Sequence, residues 1–162
     1  MDKIIGADSN NQLGKVFALK LDGAGIAEDE TGSPPIRFPI VGIGASPGGL
    51  ASFEVFFQGV PEDKPPDMAF VLVQHLSPDY SSGLADIISR YSKMKVFQVE
   101  SGMIVHLNCI YIIPPNFEMA LVGGKLELYK ASPTHSYRTP INFFFHSLAE
   151  ELGLNCLLKR FS

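Results

Sequence analysis

The chain has 162 residues, 46% of them hydrophobic and 19% charged, enough for one globular domain with a buried core and too few for two. A formal net charge of −4 supplies no positive field for nucleic acid or anionic lipid and argues against both as partners. Cys109 and Cys156 stand far apart, with no C-x-x-C and no histidine at zinc-finger spacing, which fits reduced thiols in a cytoplasmic protein and argues against structural zinc. No run approaches the ~18 apolar residues of a membrane helix, and MDKIIGADSNNQ lacks the apolar core of a signal peptide.

Residues 1–37 hold a weak apolar patch, Val16 to Leu21, and the acidic, turn-rich run Glu28 to Pro35. Such a segment has little apolar periodicity to offset its ordering entropy, so it reads as a flexible leader or linker, with the domain at 38–162. In Phe38 to Phe57 the apolar run Pro39 to Ile43 predicts a strand, and Leu50, Phe53 and Phe57 return at helical spacing. Between them Gly44-Ala45-Ser46-Pro47-Gly48 fits G-x-S-x-G, a sharp turn whose small residues let the backbone bend and expose the serine.

Val60-Pro61 is expected to end that helix. Ala69 to Val73 is a second apolar strand, closing on Gln74 and His75. Ser77-Pro78-Asp79 supplies helix-start chemistry for a segment whose apolar face is Leu84, Ile87, Ile88 and Tyr91. Lys95 to Val99 and Cys109 to Ile113 are the third and fourth strands. Glu118 to Val122 and Lys125 to Lys130 flank Gly123-Gly124 as a hairpin. Thr139-Pro140 reads as N-cap and first residue of a helix to about Leu152, with Ile141, Phe144, Phe145 and Leu148 inward and Gly153 beyond its end. A final strand begins at Leu154 to Leu158, and the sequence stops at Ser162. The expectation is a three-layer α/β/α domain, its sheet mostly parallel and doubly wound, with an added β-hairpin and without its last strands.

In a parallel sheet with right-handed crossovers all strand carboxyl ends emerge on one edge, where ligands bind. Ser46 follows the first strand and His75 the second. A hydroxyl is a weak nucleophile until a base takes its proton, and neutral imidazole suits that task near pH 7. Ser46 and His75 are therefore the candidate nucleophile and base. A serine in such a turn also serves as an N-cap, and a histidine at a strand end also serves structurally. His106, His135 and His146 are read as structural. A rival reading, a nucleotide-binding α/β domain, fits less well: Gly42-x-Gly44 would need glycine at position 47, where Pro47 stands, and no Gly-Lys-Ser/Thr ending follows.

GIGASPGGLASFEVFF, AFVLVQHLSPDYSS, IYIIPPNFEMAL and RTPINFFFHSLAEELG together resemble the successive motifs of the CheB-type chemotaxis protein-glutamate methylesterases, over about Phe38 to Gly153. The resemblance implies a cytoplasmic hydrolase of two-component chemotaxis signalling. It would use a Ser-His-Asp triad to demethylate glutamate methyl esters on chemoreceptors, with glutamine deamidation as a related activity and no metal or organic cofactor. Motif by motif, the family's serine falls on Ser46 and its histidine on His75.

Three departures follow. The family's aspartate lies in a loop after the strand that begins at Leu154, where this sequence reads LNCLLKRFS; the expected triad lacks its aspartate, and the domain reads as C-terminally truncated. Asp67, Asp79 and Asp86 precede that strand and match nothing there. Pro47 has no N–H to give an oxyanion hole, and one lost donor costs roughly 10² to 10³ in rate; the other reading is a first-turn helix proline, with the donors supplied elsewhere. Residues 1–37 are too few and too polar for the phosphate-receiving domain, so none is expected within this sequence before the motifs. The alternative is a catalytically inactive remnant or interaction module of a methylesterase-methyltransferase sensor protein. The implied partners are methylated chemoreceptor segments and a chemotaxis methyltransferase or sensor module.

Overall fold

Two strands, Ile40–Ala45 (β1) and Ala69–Gln74 (β2), are buried along their whole length, as continuous apolar runs inside a parallel sheet must be. The computed structural model describes residues 36–46, 48–61, 63–74, 83–131 and 139–161. The other elements are Leu50–Gln58 (α1), Leu84–Tyr91 (α2), Lys95–Gln98 (β3), Met103–Ile104 (β4), Cys109–Ile112 (β5), Phe117–Val122 (β6), Lys125–Lys130 (β7), Pro140–Leu152 (α3) and Cys156–Phe161 (β8). A single 3₁₀ turn, Gly153–Asn155, joins α3 to β8.

The main sheet has the order β3-β5-β2-β1-β8, and every pairing in it is parallel. Alternation along its strands sorts side chains onto two faces. Val41, Ile43 and Ala45 of β1 join Phe70 and Leu72 of β2, Phe53 and Phe57 of α1, and Leu84 and Ile88 of α2. Ile40, Ala69, Val71 and Val73 join Ile141, Phe144 and Leu148 of α3 and Met119, Leu121 and Leu126 of the hairpin. The result is the expected three-layer α/β/α arrangement, with α1 and α2 on one face and α3 with a small antiparallel sheet on the other.

That antiparallel sheet has the order β4-β7-β6. Gly123 and Gly124, at φ of 54° and 76°, make the two-residue turn between β6 and β7, a backbone region that glycine enters without steric cost. Strand β4 was not expected: the apolar run Met103 to Val105 is too short to mark a strand. Tyr111 fixes its position, since the phenol accepts from the His106 N–H at 2.8 Å and donates to the Ile104 carbonyl at 3.2 Å.

Other boundaries also differ from expectation. β1 runs on through Gly44 and Ala45 instead of stopping at Ile43. Helix α1 ends at Gln58, with the Gly59 N–H closing its last turn, ahead of Pro61. β8 begins at Cys156, because Leu154 lies in the 3₁₀ turn and is 92% exposed. The start of α3 is as read: Thr139 Oγ1 accepts from the Asn142 N–H, and Pro140 is the first helical residue. The helix-start signal at Ser77-Pro78-Asp79 and all of the leader except Ile36 and Arg37 lie outside the described residues. Both cysteines are free thiols. Among the described residues, no helix is long and apolar enough to cross a membrane.

Gly44 shows why β1 carries glycine. A Cβ there would lie 2.4 Å from Ile141 Cγ2 of α3, well inside van der Waals contact. Gly44→Ala should therefore cost about 1–3 kcal/mol in urea unfolding, as overpacked cores do, and the added presence of Ile141→Ala should make the double variant less destabilised than the sum of the two changes. A second prediction concerns Tyr111, whose hydroxyl is pushed from 10.0 up to about 12, chiefly by burial, with the His106 N–H pulling the other way. The fold favours the neutral phenol, so this contribution to stability is complete below pH 10 and is lost as pH rises toward 12. Tyr111→Phe should remove the most alkaline tyrosinate step from the absorbance titration and flatten the stability profile in that window.

Candidate functional site

Ser46 is the first residue beyond β1 and is exposed at the carboxyl edge of the sheet. Its backbone is held from three directions. The Ser46 N–H donates to the Phe161 carbonyl at 3.4 Å, continuing the β1–β8 ladder, while its carbonyl accepts from the Gly49 N–H at 2.8 Å and from Gln74 Nε2 at 3.1 Å. The turn's tightness comes from Gly49 rather than from the glycines of the pentapeptide. A Cβ on Gly49 would stand 2.6 Å from the Ala45 Cβ and 3.1 Å from the Ser46 oxygen, whereas one on Gly48 meets nothing within 4 Å. Gly44 serves helix packing, and Ala45 and Gly49 are the small residues that meet across the turn.

Along β1 and β2 the register pairs Ile40 with Ala69 and Ala45 with Gln74. The two strands thus leave the sheet at the same level, one strand spacing of about 4.8 Å apart. Ser46 follows one strand. His75 follows the other in sequence and itself lies outside the described residues, as do Pro47, Asp79 and His135. On its other side β1 pairs with β8, Ala45 with Phe161. The chain thus leaves β1 toward β2 and returns against its opposite side at the end, and the carboxyl edge at such a reversal is where open α/β sheets form their crevices.

The other candidates stand elsewhere. His106 precedes β5 at the amino edge, roughly a strand length of 15–20 Å from the carboxyl edge. His146 is on the exposed face of α3, with Nδ1 3.1 Å from Glu150 Oε1. Asp67 precedes β2, at φ of 53°, and its N–H donates to Asn108 Oδ1 at 3.0 Å. Asp86 is in the first turn of α2. A cleft of about 480 Å³ lined by Pro61, Pro65, Tyr91, Lys95, Phe97 and His106 also opens on the amino edge, away from Ser46. Among the described residues, no three His, Cys, Asp or Glu side chains converge as a metal would need.

Sequence reasoning missed Gln74. It is 6% exposed, one of the few buried polar side chains among the described residues, and it reaches from the end of β2 to the Ser46 turn. The available signal was a polar residue closing an otherwise apolar run.

Comparison with known proteins agrees with this geometry. The crystal structure of the Thermotoga maritima CheB methylesterase catalytic domain superposes with a TM-score of 0.64 at 26% identity, covering 77% of this chain and 67% of that one. A protein-glutamate methylesterase/protein-glutamine glutaminase of Burkholderia thailandensis is 27% identical over 141 residues, 86% of this chain and 41% of that protein. A similarly named protein of Pseudomonas syringae pv. tomato is 32% identical over 113 residues, 69% of this chain and 33% of that protein. The chain thus spans less than half the length of these relatives. The sequence profile described as CheB methylesterase matches residues 41–158, a span that holds the serine turn, β2 and the first half of β8, and the chain belongs to the CheB methylesterase family.

Proposed function

We propose that the chain carries the nucleophile and base of a serine-type carboxylic ester hydrolase that demethylates glutamate methyl esters on chemoreceptors, within cytoplasmic chemotaxis signalling. The observation that carries this reading is the register of β1 and β2, which brings Ala45 and Gln74 level at the carboxyl edge with exposed Ser46 next in one strand and His75 next in the other.

In the reaction, Ser46 Oγ attacks the ester carbonyl while His75 takes its proton. The tetrahedral oxyanion collapses, breaking the bond to methoxide, which leaves as methanol with the proton from His75. Water then attacks the acyl group, gives its proton to His75, and releases the glutamate carboxylate and the serine hydroxyl. Glutamine deamidation runs by the same steps with ammonia leaving. Pro47 has no N–H, and the Gly49 N–H is committed to the Ser46 carbonyl, so the oxyanion takes its donors from Gly48 or from segments outside this turn.

Two groups are assigned rather than three. Methanol release from a peptide bearing a glutamate γ-methyl ester should be measurable for the chain and should fall to the uncatalysed rate in both Ser46→Ala and His75→Ala. Hydrolysis untouched by Ser46→Ala would rule the nucleophile out. A cooperatively folded chain with no turnover would place it instead as a binding module of the same family.

A further inference from the structure

We infer that Gln74 is a positioning residue that sets the orientation of the nucleophile turn through the Ser46 carbonyl. The inference rests on Ser46 being the nucleophile and adds a residue to that site. A carbonyl can only accept, so the Gln74 amide presents its NH₂ to it, at 3.1 Å.

The peptide unit following Ser46 joins it to Pro47 and is a tertiary amide with no N–H. In a typical elbow both ends of that unit are hydrogen-bonding groups; here the carbonyl oxygen is the single one. It accepts twice, from the Gly49 N–H at 2.8 Å within the turn and from Gln74 Nε2 across the sheet. The first bond closes the turn on itself. The second ties the turn to β2, and so relates the plane of the Ser46 peptide to the strand that leads into His75.

Burial strengthens the case. Gln74 is 6% exposed, so water does not readily replace its NH₂ at the Ser46 oxygen, and losing the donor leaves that carbonyl held by the Gly49 N–H alone. Rotation there swings the Cα–Cβ bond of Ser46. Displacement of a reacting atom by about 1 Å can cost 10²-fold in rate.

The test compares Gln74→Met, of similar length without a donor, and Gln74→Glu, whose ionised carboxylate would repel the carbonyl, with the unaltered chain. The first readout is the rate of Ser46 phosphonylation by a fluorophosphonate, resolved into the limiting rate, the half-saturating concentration and the final labelled fraction. Positioning predicts a limiting rate about 10- to 100-fold lower in Gln74→Met and lower still in Gln74→Glu, with half-saturation and full stoichiometry retained. A purely structural role would instead lower the labelled fraction and leave the rate of the folded population unchanged.

The second readout needs no activity. Hydrogen exchange at the Gly49 amide should accelerate at least about 10-fold in Gln74→Met while the amides of β1 and β2 keep their protection. Unchanged Gly49 exchange overturns the clamp whatever the labelling shows. If Ser46 is labelled at the unaltered limiting rate in both variants, the clamp fails while the nucleophile stands; if labelling survives Ser46→Ala, the nucleophile fails, and the role of Gln74 at it fails too.

Discussion

Strand β1 is paired in parallel register along all six of its residues, with β2 on one side and β8 on the other, and the candidate site depends on that double pairing. It fixes which residue of each chain is last in the sheet. A one-residue slip of β1 would turn its side chains to the opposite faces, driving Ile43 toward α3 and Gly44 toward α1. It would also carry Ser46 out of level with the end of β2. The core and the site are therefore specified by the same hydrogen-bond ladder.

The glycines of β1 link that ladder to the helix above it. α3 approaches so closely that a Cβ on Gly42 would meet Leu148 Cδ1 at 2.7 Å, and one on Gly44 would meet Ile141 at 2.4 Å. Bare backbone on this face lets Ile141 and Leu148 seat directly on the sheet, while the alternate residues Val41, Ile43 and Ala45 face α1 and α2. The glycine spacing that resembles a turn motif is thus, through Gly44, an imprint of helix packing, and the turn proper starts at Ser46. Its closure by the Gly49 N–H and by Gln74 makes the exposed serine the tip of a rigid feature rather than of a loose loop.

Much of the fold was legible in the sequence because the central parallel strands β1, β2 and β5 are buried along their length and so read as unbroken apolar runs. Local chemistry marked the hairpin through Gly123-Gly124 and the start of α3 through Thr139 and Pro140. What escaped has physical reasons. β4 is two residues whose pairing depends on β7, some twenty residues on, and on one side-chain hydroxyl, that of Tyr111. Leu154 is apolar yet 92% exposed, so hydropathy placed β8 two residues early. Of the candidate site, the place of Ser46 just beyond β1 was readable from its turn, whereas the hydrogen bond from Gln74 was not, because one side-chain amide meeting one carbonyl 28 residues away leaves no periodic trace.

The central claim is that Ser46 is a nucleophile whose proton is taken by His75. It is tested most directly by treating the folded chain with a fluorophosphonate and locating the adduct by peptide mass spectrometry. The account predicts phosphonylation on Ser46 in the unaltered chain and none in His75→Ala. An adduct on a different residue, or an adduct on Ser46 that forms equally well without His75, would contradict it.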